Sequence, residues 1–489
     1  MSLEMSAERP KNDKPPRMFQ VTRRAAVISV LLLLIAAVFV GGRYYMRHAD
    51  HPHVAPIAED LGGVRAAFPL MILPGSRYLS DQKGAPFLIH GEAAWSLIAQ
   101  LTREEAEAYL ENRRSKGINL IIVNLLEHHF ADDAPSNIYG AAPLSTPGDF
   151  STPSDQYFEF ARNIVRIAAG KGIAVLLCPA YLGGDGGNEG WYQEMRRNGP
   201  EKMHAYGRYV GAHFREFDNV IWLQAGDFTP PAADLPLVAA VANGIRETSP
   251  IQMHTAHWSP ETSAMDVTID AHFEINTTYT YLPAYLESIA NYDHGNGRPH
   301  FLVETKYEGD ELGSTQRSLR GQAYYALLTG AAGQVCGNRW IWPFVRPNIW
   351  NRLFGTNWKS ALDSPMSRSM GYVHKLFAKL PWTTLVPDEA FEVQMSGQGS
   401  KGQIDYPVLA WRRDGSLAVA YIPTSKGIRL NSEKLAKPLK SRWYDPTDGQ
   451  FIDAVSSPSA TMGGQDYVPP GRNASGDTDW VLVVEAVTH

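Results

Sequence analysis

The sequence predicts an α/β protein: a (β/α)8 TIM barrel, followed by a C-terminal antiparallel β-sandwich and preceded by one N-terminal transmembrane helix. Three observations predict it. From about Arg77 onward, short apolar runs alternate with amphipathic helical segments, the signature of repeated βα units and a parallel sheet. Eight such runs occur, the number that closes a barrel. After Leu380 the pattern changes to short alternating runs separated by turn residues, as antiparallel strands require.

The first element lies between Ala25 and Gly42, AAVISVLLLLIAAVFVGG, an uncharged stretch long enough to cross a bilayer as one helix. Arg9, Lys11, Lys14, Arg17, Arg23 and Arg24 precede it, and only Arg43 and Arg47 follow closely. The positive-inside rule therefore keeps residues 1–24 in the cytoplasm and sends the rest across the membrane. A cleaved signal peptide is the rival, but its apolar region normally spans about 7 to 15 residues and ends in a small-residue cleavage site. The run continues into GGRYYMRH, which favours an uncleaved anchor at 25–42 and a linker over 43–76. The expected location is a bacterial cell envelope, with the main body periplasmic or extracellular.

The barrel is expected over 77–381, with strands PFLIHGEAA, NLIIVNLL, AVLLCPAYL, NVIWLQAGD, IQMHTAHW, DVTIDAHFEIN, PHFLVETKYE and GQVCGNRWIWP. Thr102 and Glu105 form a capping box after the first strand, each satisfying an orphan backbone N–H, and that helix runs to Gly117. Tyr157, Phe160, Ala161, Ile164, Val165 and Ala168 make one apolar stripe. Met203, Tyr206, Val210, Phe214 and Phe217 repeat it. After the seventh strand Ser314 or Thr315 serves as a simple N-cap without a capping box, and Ser364 before Pro365 caps the last helix. Between the fifth and sixth strands no helix is evident, so closure there is inferred. Residues 382–489 carry FEVQM, PVLAWRRDG, SLAVAYIP, SRWYDPTDGQF and DWVLVVEAV, the runs of the sandwich.

A chain of 489 residues holds a large enzyme domain and a smaller companion. Its formal net charge of −6, with no Lys/Arg stripe in the main body, argues against a nucleic-acid partner. Cys178 and Cys336 sit inside apolar runs and are expected as buried free thiols; an exported protein permits a disulfide, but the spacing does not demand one. No His/Cys/Asp cluster has metal-ligand spacing, and His128 and His129, being adjacent, point away from each other. No metal or cofactor is expected. The Gly-rich GGDGGN has no helix directly behind it to hold a phosphate and reads as a flexible rim loop.

Asp227 and Glu304 stand at the C-terminal ends of the fourth and seventh runs. In a parallel barrel those ends form the mouth where active sites are built, and paired carboxylates are the working groups of glycoside hydrolysis. Around them, His90, Glu92 and Trp95 end the first run, Asn124 and His128 the second, and His257 and Trp258 the fifth. His272 belongs to the sixth, and Trp340 and Trp342 end the eighth. Lys306, Arg339 or Tyr307 would keep Glu304 ionised, with strand alternation turning Lys306 to the same side as Glu304. Glu127, Glu274 and Glu308 are the reserve acids. The set makes a sugar pocket of aromatic faces and polar edges.

The segment RYLSDQKGAPFLIHGEAAWSLIAQLTREEAEAYLENRRSKGINLI resembles the N-terminal motif of the apiosidase-like glycoside hydrolases, a strand ending G-D-T-A-W before a helix opening L-T-x-E-E. The resemblance continues through NVIWLQAGD, PHFLVET and GTNWKSALDSP. LFAKLPWTTLVPD and WYDPTDGQF resemble the small β-domain that accompanies the family, named for collagen binding. The resemblance implies a (β/α)8 barrel with Asp227 as general acid/base and Glu304 as nucleophile. It departs at Glu92 and Ala93, where the family has Asp and Thr, so the sugar is not carried over. The implied activity is cleavage of a glycosidic bond in a plant or bacterial saccharide; the competing reading is a barrel that binds glycan or protein at the envelope without cutting it.

Overall fold

The structure, a computed structural model, describes residues 65–295, 297–310, 313–458 and 463–487. The apolar stretch 25–42 lies outside them, and among the described residues no helix is long and apolar enough to cross a membrane.

Eight strands form one parallel, nearly closed barrel: β1 (Ile89–Ala93), β2 (Leu120–Asn124), β3 (Ala174–Cys178), β4 (Val220–Ala225), β5 (His254–His257), β6 (Asn276–Tyr279), β7 (His300–Glu304) and β8 (Gly333–Cys336). The ladder runs β5-β4-β3-β2-β1-β8-β7-β6. Its open seam, between β5 and β6, is joined by Thr255 Oγ1 donating to the Ile275 carbonyl (2.8 Å) and Thr277 Oγ1 to that of Ala256 (2.9 Å). None of residues 258–275 is helical, as the sequence led one to expect. The sixth strand, however, is Asn276–Tyr279 and not the earlier run DVTIDAHFEIN.

Alternation sorts the side chains. Ile89, Leu120, Ile122, Leu176, Ile221, Leu223, Phe301, Val303 and Val335 fill the barrel interior. Ile121, Val123, Val175, Leu177 and Trp222 face the helix layer. That layer comprises α1 (Arg103–Ser115), α2 (Asp155–Gly170), α3 (Tyr192–Phe214), α4 (Leu235–Thr248), α5 (Tyr285–His294), α6 (Gln316–Leu328) and α7 (Pro365–Phe377). The Thr102/Glu105 capping box opens α1, and Ser364 caps α7. At α6 Thr315 is the cap, and a capping box does form: the Ser318 hydroxyl does the work usually given to Glu, accepting from the Thr315 N–H at 2.9 Å. Cys178 and Cys336 are buried and free.

The C-terminal strands are all antiparallel and lie in two sheets: β9 (Val386–Pro387), β11 (Val408–Trp411), β12 (Leu417–Ile422), β14 (Leu439–Tyr444), β15 (Phe451–Asp453) and β18 (Trp480–Ala486) in one. β10 (Gln394–Ser396), β13 (Ile428–Asn431), β16 (Ser456–Pro458) and β17 (Gly464–Tyr467) make the other. Leu409, Trp411, Ala420, Leu430, Tyr467 and Leu482 fill a core of their own. A separate core joins these sheets to the barrel, with Tyr324, Tyr325 and Leu328 of α6 packed with Val408, Val419, Tyr421 and Val483.

Candidate active site

The C-terminal mouth of the barrel opens into a cavity of about 290 Å³ that contains both Asp227 and Glu304. Neither reaches it by simple strand alternation. At the end of β4 three consecutive residues, Ala225, Gly226 and Asp227, hold positive φ (69°, 115° and 57°), which turns the chain and aims Asp227 inward. Such a conformation costs about 1–3 kcal/mol for each non-glycine residue, and is held where the surrounding fold over-determines it. Gly226 is required as well because a Cβ there would lie 2.3 Å from the Tyr181 ring. On β7, Leu302 faces the helices, and alternation would turn Glu304 the same way. The register against β6 slips between Thr278 and Tyr279, pairing Tyr279 with Glu304, and this irregularity re-aims the carboxylate at the mouth.

Hydroxyl donors surround the pair. Tyr181 Oη and Tyr279 Oη donate to Asp227 (2.6 and 2.8 Å). Tyr307 Oη and Tyr281 Oη donate to Glu304 (2.7 and 3.2 Å), and Trp95 Nε1 donates to Tyr307 Oη at 3.1 Å. Burial and the neighbouring carboxylates hold all four tyrosine hydroxyls far above their ordinary pKa, so they remain donors. His257 is fully buried between the acids. The Asp227 N–H donates to its Nδ1 at 3.1 Å, and its Nε2 lies 3.5 Å from Glu304. A backbone donor on Nδ1 leaves the ring proton on Nε2, facing Glu304. Burial disfavours the charged ring, yet the contact with Glu304 and the charges of both acids outweigh it and raise the His257 pKa. Burial, then the charge of Asp227, pushes the Glu304 carboxyl up, against the pull of His257 and Tyr307. The Asp227 side chain is 23% exposed and that of Glu304 7%, so Asp227 stands nearer the opening.

One donor atom from each of Asp227, His257 and Glu304 lies within 4.8 Å of the others, a spacing open to a cation. His257, however, turns Nδ1 toward Asp227 (3.4 Å) and Nε2 toward Glu304 (3.5 Å). Nδ1 is already occupied by the Asp227 N–H, so the ring offers Glu304 its Nε2 proton, whereas metal ligation needs one unprotonated nitrogen aimed with both acids at a single point.

Of the residues singled out from the sequence, Trp95, Asn124, Tyr307 and Trp342 line the cavity with the two acids, and His257 lies beneath it. Asn124 Oδ1 is buried without a partner, an acceptor open to a hydroxyl. The others stand elsewhere. His90 and Glu92 alternate with the interior residues of β1 and so face the helices: His90 stacks on His374 at 4.8 Å, and Glu92 is paired with Arg113 (3.0 Å) and Tyr109 (2.6 Å). His128 pairs with Glu194 at 3.7 Å beside a neighbouring cavity. Trp258 is wholly buried, bonded to the Ala264 carbonyl, and His272 sits in the exposed approach to β6. Trp340 packs on the helix-layer core under Arg339. Lys306 does not line the cavity, because β7 ends at Glu304 and alternation ends with it; Tyr307 takes the partner's role.

The reserve acids are all engaged in holding loops. Glu127 accepts from the N–H groups of His128, His129 and Phe130 and from Ser96, which fixes the loop that brings Phe130 to the cavity. Glu274 binds Arg246, and Glu308 ties Gln316 and Asn338 together. Tyr181, Tyr281, Phe130, Glu189 and Asp310 also line the cavity, and Tyr279 reaches Asp227 beside it, beyond the residues the sequence points to. Tyr181 closes the run AVLLCPAYL, and TTYTYL is strand-like in its own right; Phe130 and Glu189 carry no local signal.

An acid pair with tyrosine and tryptophan donors at the mouth of a parallel barrel defines a glycosidase-type site. Residues 74–384 match the family described as "Apiosidase-like, catalytic domain", and residues 388–485 match "Putative collagen-binding domain of a collagenase". The chain belongs to the apiosidase-like family and is a glycoside hydrolase. Among solved structures it is similar to a glycoside hydrolase family 5 protein from Bacteroides vulgatus ATCC 8482, with 20% identity, 86% of this chain and 94% of that one covered, and a TM-score of 0.71. It is also similar to a protein named only as a glycoside hydrolase, at 21% identity, 87% and 99% coverage and a TM-score of 0.70. At these identities the likeness is one of fold. Among curated proteins none matches the sequence significantly.

Proposed function

We propose that the protein hydrolyses a glycosidic bond of a plant or bacterial oligo- or polysaccharide with retention of configuration, Asp227 serving as general acid/base and Glu304 as nucleophile. The observation that carries this reading is the closeness of the pair, an oxygen of each within 4.8 Å of the other. Retaining enzymes hold their carboxyls about 5–5.5 Å apart, whereas inverting ones leave about 6.5–9.5 Å for a water. Asp227, nearer the opening, protonates the leaving oxygen. Glu304, deeper and bonded by Tyr307 and Tyr281, attacks the anomeric carbon, and the covalent intermediate is then opened by a water that Asp227 deprotonates. Trp95, Phe130, Tyr181 and Trp342 offer faces on which a sugar ring packs.

Asp227→Asn and Glu304→Gln are each expected to lower kcat on an activated aryl glycoside by at least about a thousandfold while the far-ultraviolet spectrum stays unchanged. Retained turnover in either variant removes that residue from the scheme. Proton NMR of the first-formed sugar gives the stereochemistry, and an inverted anomer overturns the double displacement. The apolar stretch 25–42 supports an anchor with the barrel outside the cytoplasm; the full-length chain is then expected in the membrane fraction, and recovery in the soluble fraction contradicts it.

A further inference from the structure

A cavity of about 600 Å³, larger than the catalytic one, lies away from the barrel mouth. It lies where α5 meets the first strands of the C-terminal sheets, and shares no lining residue with the catalytic cavity. We propose that it is a second carbohydrate site, which holds a neutral segment of a polysaccharide while the barrel mouth works on a bond elsewhere.

The lining supplies both faces that a sugar requires. Tyr285 of α5 and Tyr406 stack at 4.9 Å and 18°, and Phe391 (44% exposed) and Met395 (36% exposed) add apolar surface. Such surfaces suit the C–H faces of a pyranose. Phe391 holds φ at 52°, a conformation that bulky residues avoid. The Asp388 carboxylate maintains the turn that displays it, by accepting from the N–H groups of Glu392, Val393 and Gln394 (2.7–3.2 Å). Hydrogen-bonding groups stand beside the rings: Gln394 Nε2 is buried with no partner, and Gln398, whose Nε2 donates to the Gln394 carbonyl at 2.9 Å, adds a second amide held in place.

Charge and backbone narrow the occupant. Asp388 is consumed by its own turn, and Glu389 is bonded to Asp293, with the opposite charge of Lys401 a lesser influence on it, so the lining suits a neutral ligand. A peptide joining as an extra strand would need a regular open edge. The two edge strands here are unsuited: β9 ends in Pro387, which has no N–H, and β10 is bulged between Gln394 and Ser396. Side chains must therefore make the contacts, as they do for hydroxyl-rich chains. The volume accommodates on the order of two or three sugar residues.

The site is tested with the detergent-purified chain carrying Glu304→Gln, expected to suppress turnover, on an immobilised array of neutral plant and bacterial polysaccharides together with a Gly-Pro-rich triple-helical peptide. The chain is expected to bind at least one polysaccharide, with Phe391→Ala weakening that binding by about tenfold and Gln398→Ala by about threefold. In the otherwise unsubstituted enzyme both changes are expected to leave kcat on a small aryl glycoside within about twofold, since neither residue lines the catalytic cavity. Binding that both changes leave untouched, capture of the peptide alone, or no polysaccharide retained overturns the proposal. Hydrolysis of the same polysaccharides by the unsubstituted chain is scored separately, so failure of the second site and failure of the catalytic reading are told apart.

Discussion

At the scale of single residues, His257 and Glu304 set the pH behaviour of the site. Attack requires ionised Glu304, whose carboxyl is held up by burial and by Asp227 and drawn back by His257. Activity should therefore fall as pH drops through that raised value. His257→Gln removes the opposing pull, so the acid limb of kcat/KM should move to higher pH, with a loss of about tenfold, ~1.4 kcal/mol, on that limb. An unmoved limb would show that His257 acts only through packing. The same burial has a cost to folding. A carboxyl raised in the folded state favours folding below the unfolded range, and that contribution is lost as pH rises through the raised value. Glu304→Gln should thus raise Tm at neutral pH by about 2 °C and leave it unchanged near pH 4, as differential scanning fluorimetry would report. The positions of Asp227 and Glu304 were legible in the sequence, as polar residues closing apolar runs. Of their donors only Tyr307 was, three residues beyond Glu304; Tyr181, Tyr279 and Tyr281 come from other stretches of chain that meet the acids only on closure.

At the scale of elements, what the sequence offered as substrate contacts on β1 turned out to fasten a helix. Glu92 and Arg113 are both fully buried, and Arg113 also reaches Ser367 on α7, so one ion pair binds β1, α1 and α7. Removing one partner of such a pair leaves a buried charge uncompensated. Glu92→Gln should cost about 3 kcal/mol in urea denaturation and leave KM for an aryl glycoside within about twofold. A large change in KM would return Glu92 to the pocket. The run containing His272 and Glu274 misled for a related reason. DVTIDAHFEIN alternates as a strand should, but all of it except the final Asn276 forms the approach to β6, where Glu274 binds Arg246 and the His254 N–H. Alternation marks a segment able to be a strand; the neighbour that pairs with it decides whether it becomes one.

At the scale of the molecule, the barrel and the C-terminal sheets are joined by buried charge as well as apolar packing. Arg320 of α6, 1% exposed, donates to Asp479 (2.7 and 2.5 Å) and Asp477 (2.7 Å), and Tyr421 and Asn473 complete the ring around Asp479. Arg320→Ala should lower global stability by about 3–5 kcal/mol, read from chemical denaturation. A change below about 1 kcal/mol would mean that the sheets dock through their apolar contacts alone. Seven of the eight barrel strands, the switch to antiparallel strands after Leu380, the capping residues Thr102, Thr315 and Ser364 and the two acids were written in local periodicity and in residues a few positions apart. Tertiary packing alone set which way those acids face, that Tyr181, Tyr279 and Tyr281 join Tyr307 in holding them, that His257 lies between them, and that Glu92 and His90 look outward. Those outcomes follow from a positive-φ turn, a slipped register and the convergence of distant strands, and none of these is a property of any one stretch of chain.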